Sequence, residues 1–332
     1  MTGISSVDCA GSCGASTTRC LRATPPHKSP GIRELQRGAT VRCDRPPYRA
    51  APSRPRVRVL VASRHDSASR NIRDRLAESG SWTATQETFR GAPVVQRGEA
   101  RLVEIEGPSV HDEALEADLR ATGWPIAAVW FLSRHRAESG HPSLTVHPMG
   151  NHRSKAELGG RPSMLSTSAP RDMGALLRRL KLRRDEAGLP HSVTYEATHH
   201  GPFMTYPSLF VELGSDERWY DDVPSGRVLA VAIHDVLDGQ GSCEGPVLVA
   251  VGGGHYVPRA TDVALAGTAD FGHFIPAYAL EGEDGAVLER AVAATPHASG
   301  VQVHKKGLKG PERQRVMAWL AQLGLSSWSD ES

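Results

Sequence analysis

Apolar and polar positions along the chain fall into blocks of two kinds. Residues 57–63, Val57-Arg-Val-Leu-Val-Ala-Ser63, form an apolar, β-branched run of strand length, which predicts a buried strand. Residues 66–79 switch to helical spacing, with Ile72 and Leu76 on one face. Short strands are predicted at 101–106, 126–132 and 144–147. A helix is predicted over 172–187, burying Leu176, Leu177, Leu180 and Leu182, and Gly188-Leu-Pro190 stops it. The second half repeats the alternation. Strands are predicted at 193–197 and 208–213, then helix over 217–237 with a break at Pro224-Ser-Gly226. A strand at 246–251 runs into Gly252-Gly-Gly254. A strand or loop at 272–279, a helix at 283–293, a strand at 301–304 and a helix at 312–323 complete the pattern.

Strands alternating with helices predict an α/β protein with a mixed, mostly parallel sheet flanked by helices. The expected organisation is one catalytic domain over 57–326 and a short tail over 327–332, with no internal repeat. In such sheets functional groups gather just past the carboxyl ends of strands. The segments beginning at Pro148, Thr198, Gly214, Gly252 and Lys305 are predicted to lie at such ends.

Composition adds a boundary near residue 56. Residues 1–56 contain seven prolines, many Ser and Arg, and ten Lys/Arg against three Asp/Glu, a charge of +7. The remaining 29 basic and 34 acidic side chains give −5. An Arg- and Ser-rich, acid-poor leader without an apolar core reads as an organelle transit peptide, which predicts a chloroplast or mitochondrion; otherwise the cytoplasm is expected. An acidic body argues against wrapping a long nucleic acid, so no DNA partner is expected, and RNA would be met by a local basic patch. Arg178-Arg-Leu-Lys-Leu-Arg-Arg184 and the lysines at 305, 306 and 309 are the candidates. No apolar run approaches the roughly 18–20 residues of a membrane span. Four of the five cysteines lie before residue 57, and the lone Cys243 cannot form a disulfide within the body.

The candidate chemistry lies in three blocks. Tyr195-Glu-Ala-Thr-His-His-Gly-Pro202 runs from a strand into paired histidines. Adjacent histidines in extended chain point apart, but around a turn His199 and His200 converge. Glu196 is placed to serve as ligand, base or orienting carboxylate. Val249-Ala-Val-Gly-Gly-Gly-His-Tyr-Val-Pro-Arg259 delivers three glycines to His255, Tyr256 and Arg259. Free amides at Gly252, Gly253 and Gly254 would suit an oxyanion or phosphate. His273 sits between aromatics in Ala269-Asp-Phe-Gly-His-Phe-Ile-Pro-Ala-Tyr278. His135 and His147 follow strands and are placed to enter the same site.

No nucleophile elbow, activated cysteine or His-Glu-x-x-His pattern is present. Hydrolysis by an activated water fits best, with Glu196, His199, His200 and His255 as catalytic groups. His199, His200, Glu212, His255 and His273 are the candidate metal ligands. Tyr256, Arg259, Lys305 and Lys306 are candidate substrate contacts, together with the three glycines. The rival expectations are a nucleoside phosphorylase-like enzyme and a non-catalytic tRNA-binding protein.

Together, Glu196-Ala-Thr-His-His-Gly-Pro202, Gly252-Gly-Gly-His-Tyr-Val-Pro-Arg259, Ser133-Arg-His135, Glu138-Ser-Gly140 and Glu157-Leu-Gly-Gly-Arg-Pro162 resemble the ordered blocks of the archaeal and plant D-aminoacyl-tRNA deacylases. The resemblance runs from about residue 57 to 323. It departs at Met149, where the family pattern has threonine. It implies a monomeric α/β enzyme related in fold to phosphorylases and peptidyl-tRNA hydrolases, with two zinc ions per chain. It also implies hydrolysis of the ester joining a D-amino acid, including aldehyde-modified ones, to tRNA.

Overall fold

The computed structural model describes residues 56–329. The expected transit peptide and the four early cysteines lie outside the described residues. Strand β1 (Val57–Ser63) leads into α1 (Ser67–Glu78), whose first turn is capped by Asp66 accepting from the Ser69 amide. Then come β2 (Thr83–Phe89), β3 (Ala92–Arg97), β4 (Ala100–Ile105), α2 (Leu115–Ala121), β5 (Ile126–Arg136) and β6 (Ser143–His147). Helix α3 (Pro170–Glu186) precedes β7 (Ser192–Tyr195), β8 (Ser208–Ser215), α4 (Glu217–Tyr220) and α5 (Val223–Leu237). The remainder is β9 (Val247–Val251), α6 (Pro258–Leu265), β10 (Asp270–Ile275), α7 (Ala286–Ala293), β11 (Ala298–Val303), α8 (Gly310–Gln322) and β12 (Ser327–Trp328).

Two sheets result. The larger has the order β2-β3-β4-β1-β5-β8-β6-β7, and the smaller β10-β9-β11-β12. Strands β4, β1, β5 and β8 are parallel, β6 joins β8 antiparallel, and β7 is parallel to β6. The smaller sheet is parallel throughout. The mixed, mostly parallel α/β expectation therefore holds, with a second sheet added.

Alternation assigns the strand residues to layers. Leu60, Trp130, Leu132, Val146 and Leu209 face α1, α3 and α5. Val59, Val61, Val129, Phe131 and Phe210 face the other way, against Leu115 and Leu119 of α2. In the smaller sheet Val249, Val251, Ile275 and Val301 pack on α7 and α8, while Leu248, Ala250, Phe271 and Phe274 join the α3 layer. Helix α3 thus touches both sheets and fixes one against the other.

Several expectations change. Leu182 is 40% exposed, because only the Leu176, Leu177 and Leu180 face of α3 meets the sheets. The break expected at Pro224 lies instead just before it: Asp222 caps α5 by accepting from the Ser225 amide at 2.9 Å, and Pro224 occupies the first turn, where no amide is needed. Strand β5 continues to Arg136, and β12 forms within the stretch expected to be tail. Strands β2 and β3 and helices α2 and α6 were not expected. Strand β2 is an exposed edge lacking apolar alternation, and α2 and α6 are only seven and eight residues long. Met149 is fully buried with Phe131 and Phe210, an apolar filler where the family pattern has a hydroxyl.

Gly214 tests the strand pairing that carries the site. A methyl group there would lie 2.2 Å from the His135 carbonyl oxygen. Gly214→Ala is expected to cost about 1–3 kcal/mol, a fall in Tm of roughly 3–10 °C in thermal unfolding. Gly107, with open space at its Cβ position, should tolerate alanine with no measurable shift.

Candidate active site

Strand register builds the site on one face of the larger sheet. Phe131, Ser133 and His135 of β5 pair with Phe210, Glu212 and Gly214 of β8. On the other side of β8, Thr145 pairs with Glu212 and His147 with Phe210. Alternation therefore aims His135, His147 and Glu212 to the same side as Phe131 and Phe210. These two rings stack at 4.7 Å, and His147 stacks on Phe210 at 5.3 Å. The face is apolar toward one end of the strands and ionisable toward the other. Thr194 of β7 pairs with Thr145, so Glu196, two residues on, joins this face.

Two buried carboxylates result, Glu196 at 0% and Glu212 at 3% exposed. His135 lies between them, its Nδ1 2.9 Å from Glu196 Oε1 and 3.6 Å from Glu212 Oε2. The shorter approach is poorly aligned, so Glu196 Oε1 makes an ion-pair contact without a hydrogen bond. His255 Nε2 meets Glu196 Oε2 at 2.7 Å, and His147 Nε2 lies 3.6 Å from Glu212 Oε1. Tyr256 places its hydroxyl 2.9 Å from His135 Nε2, and its backbone pairs with Glu196.

Burial would push His135 down, but the two carboxylates outweigh it and raise it to about 11. Burial would raise Glu196, yet His135 and His255 hold it well below the usual carboxylate range. Glu212 is likewise driven down, burial being outweighed by His135 and His147. His200 is pushed down to about 4 by burial and by the charge of His147. His199 falls well below its ordinary value for the same two reasons. His147 is raised despite burial, because Glu212 faces it.

His199 and His200 do converge. His200 adopts φ 42°, the left-handed region, which turns its ring back beside His199 at a centroid separation of 4.3 Å. His147 joins them, 4.2 Å from His199 and 4.8 Å from His200. Each ring has its Nδ1 on a backbone carbonyl: Pro148 at 3.1 Å, Ala197 at 2.7 Å and Gly201 at 3.0 Å. With a proton on each Nδ1, all three Nε2 lone pairs are free to face a cation. The buried Nε2 of His147 has no hydrogen-bond partner. Three sets of donor atoms lie within 4.8 Å of one another: His147 with His199 and His200, Glu196 with His199 and His255, and His135 with Glu196 and Glu212. Converging imidazoles beside ionised carboxylates are a donor set that suits a divalent metal ion.

The other expected residues divide. His273 is not brought to the cluster. It is fully buried, with Nδ1 3.1 Å from the Thr198 hydroxyl and Nε2 donating to the Ser166 carbonyl at 2.9 Å, so neither nitrogen is free to bind metal. The amides of Gly252 and Gly253 are also taken, donating to Ile275 and Gly307 carbonyls at 2.8 and 3.0 Å. Any oxyanion contact from this run falls to Gly254. Lys306 lines a cleft of about 980 Å³ with Gly253 and Gly254, next to His255. Arg259, Lys305 and Lys306 line a neighbouring groove of about 460 Å³. The basic face expected on α3 is internally compensated. Arg178 pairs with Asp270 at 2.9 Å, Arg179 and Arg183 with Asp235 at 2.7 Å, and Lys181 and Arg184 with Asp185.

His135 and His147 complete the cluster, entering the site as their places after strands predict, although neither is among the candidate ligands or catalytic groups of the sequence. Their signal was the period-two pattern Phe131, Ser133, His135, which becomes meaningful only once Phe210 and Glu212 are known to lie alongside. Among the described residues no helix is long and apolar enough to cross a membrane.

His273 yields a pH test. Burial pushes it down to about 3, below its ordinary 6.5, so between these values the unfolded chain binds more protons than the folded one. The stability tied to its neutral form is present above about pH 6.5 and is lost as pH falls toward 3. His273→Gln should lower stability at pH 7 by about 1–3 kcal/mol and flatten the decline of Tm between pH 6.5 and 4.5. An unchanged slope would contradict this assignment.

Comparison with known proteins adds independent findings. The D-aminoacyl-tRNA deacylase family matches residues 123–328, a span holding every cluster residue. A D-aminoacyl-tRNA deacylase of Methanosarcina barkeri is 36% identical over 272 residues, covering 80% of this chain and 87% of that one. The Pyrococcus horikoshii enzyme of the same name is 32% identical over 279 residues, covering 82% and 100%. The crystal structure of a conserved protein of unknown function superposes with a TM-score of 0.73 at 27% identity, covering 81% of this chain and 94% of that one.

Proposed function

The chain belongs to the D-aminoacyl-tRNA deacylase family, and from that premise we propose how the Glu196–His255 cluster hydrolyses the ester between a D-amino acid and tRNA. The observation that carries the assignment is the convergence of three imidazole Nε2 atoms beside two ionised, buried carboxylates. The rival phosphate-using reading loses its main support, because the amides of Gly252 and Gly253 already donate to carbonyls.

Glu196 orients His255 by accepting its Nε2–H at 2.7 Å. That leaves Nδ1 of His255, 40% exposed, with a lone pair toward the substrate. His255 takes a proton from the attacking water and returns it to the departing ribose oxygen, so the products are a free carboxylate and a free hydroxyl. His135 holds Glu196 and Glu212 together, and Tyr256 holds His135. His147, His199 and His200 are the residues that would hold a zinc ion, and Glu196 and Glu212 beside His135 are the donors within reach of a second. Bound zinc would contribute Lewis-acid polarisation of the ester carbonyl. Aldehyde-modified D-aminoacyl groups fall within the same proposal, as does a monomeric enzyme acting in the cytoplasm, or in an organelle if residues 1–56 direct it there.

His255→Ala and Glu196→Gln should each lower kcat/KM for D-Tyr-tRNA by about 10²- to 10⁴-fold. A zinc chelator should abolish turnover and added zinc restore it. Wild-type rates in both variants would remove the cluster from the reaction. Equal rates on D- and L-Tyr-tRNA would sink the chiral reading.

A further inference from the structure

The cleft beside His255 is assembled from three loops joined through one glycine. The Gly253 carbonyl accepts from the Ala277 amide at 2.9 Å, and the Gly253 amide donates to the Gly307 carbonyl at 3.0 Å. This places Tyr278, in the turn Ala277–Leu280, and Lys306, in the turn Lys305–Gly307, on the walls of one cleft of about 980 Å³. Lys309 and Arg315, before and within α8, complete its basic side. The Tyr278 side chain is 51% exposed, which leaves half of a large ring open to the cleft and solvent.

Cations outnumber acids in the cleft. Lys306, Lys309 and Arg315 face Glu281, which pairs with Arg153 at 3.3 Å, and Glu312, which accepts from the Lys309 amide at 2.9 Å. No ion pair joins Lys306 or Lys309 to an acid among the described residues. The cations of α3, by contrast, each pair with an acid. An exposed aromatic ring facing unpaired lysines is the chemistry that holds a single-stranded nucleotide, the ring stacking a base and the cations meeting phosphate. The volume suits one nucleotide.

Resting on the deacylase reading, we infer that this cleft seats the 3′-terminal nucleotide of the substrate, with Tyr278 as the stacking platform and Lys306 and Lys309 as its phosphate contacts. The terminal ribose, which carries the ester, then lies at the Gly254–His255 edge of the cleft. The neighbouring groove lined by Lys305 continues the basic path for the preceding phosphates.

The test uses two uncharged, fluorescein-labelled acceptor-stem RNA hairpins, one with its complete single-stranded 3′ end and one lacking the terminal nucleotide. Binding to the full chain is read by anisotropy. Wild type should bind the complete hairpin about 10-fold tighter, the worth of one base–aromatic stack. Tyr278→Ala should cut that difference several-fold and Tyr278→Phe, which keeps the ring, should preserve it. Lys306→Ala with Lys309→Ala should weaken the complete hairpin more than the shortened one, which lacks the contacted phosphate, and reduce the salt dependence. Equal wild-type affinity for the two hairpins, or a difference that Tyr278→Ala leaves undiminished, would overturn the inference. Failure of wild type to hydrolyse D-Tyr-tRNA would count instead against the deacylase reading, since the hairpins carry no ester.

Discussion

Two negative charges inside the protein set the terms for everything around them. Taking a carboxylate out of water costs several kcal/mol unless partners compensate it. Glu196 and Glu212 share His135, and each gains a second histidine, His255 for one and His147 for the other. Those partners come from β5, β6 and the segment after β9, and the carboxylates from β8 and the segment after β7. The central pairing must hold its register to within one residue, since a slip would turn His135 and Glu212 to the opposite face. Gly214 enforces the close approach at that point, and Tyr256 ties the loop after β9 to the β5 histidine. Site and fold are thus one constraint: the strands that bury the carboxylates are the strands that neutralise them.

The glycine run after β9 serves a different purpose from the one its composition suggests. Gly252 and Gly253 have φ of 100° and 87°, values that side chains resist. A Cβ at Gly252 would lie 2.9 Å from Leu308 and one at Gly253 3.2 Å from His304. Their amides donate to protein carbonyls rather than facing a ligand. The run lets the 304–308 segment come close enough to form a cleft wall beside His255. The cleft and His255 thus share one loop, the cleft on one side and the histidine on the other.

Much of the layer structure was legible because near-continuous apolar strands and one-sided helices leave a periodic trace. Val57–Ser63 and the Leu176, Leu177, Leu180 stripe are such cases. Leu182 sits at the edge of that stripe and faces solvent, which spacing alone does not decide. The paired histidines, Glu196 and His255 were legible as a block, and His135 and His147 only as histidines placed to enter the same site. His135 and His147 become ligand candidates through β5–β8 and β6–β8 register, a long-range property absent from local pattern. His273 misled for the converse reason. Its glycine and aromatic neighbours look like a site, yet the fold supplies Thr198 and Ser166 as full hydrogen-bond partners. The α3 cations misled too, because Asp235 and Asp270 are far away in sequence.

The central claim is that His147, His199 and His200 converge as a metal centre above the buried carboxylates. Metal content after zinc loading and exhaustive dialysis, read by elemental analysis, tests it most directly. Wild type and His273→Gln should retain zinc, and the double variant His147→Ala with His199→Ala should lose it while staying folded. A wild-type chain that retains none, or a double variant that retains as much as wild type, would contradict the account.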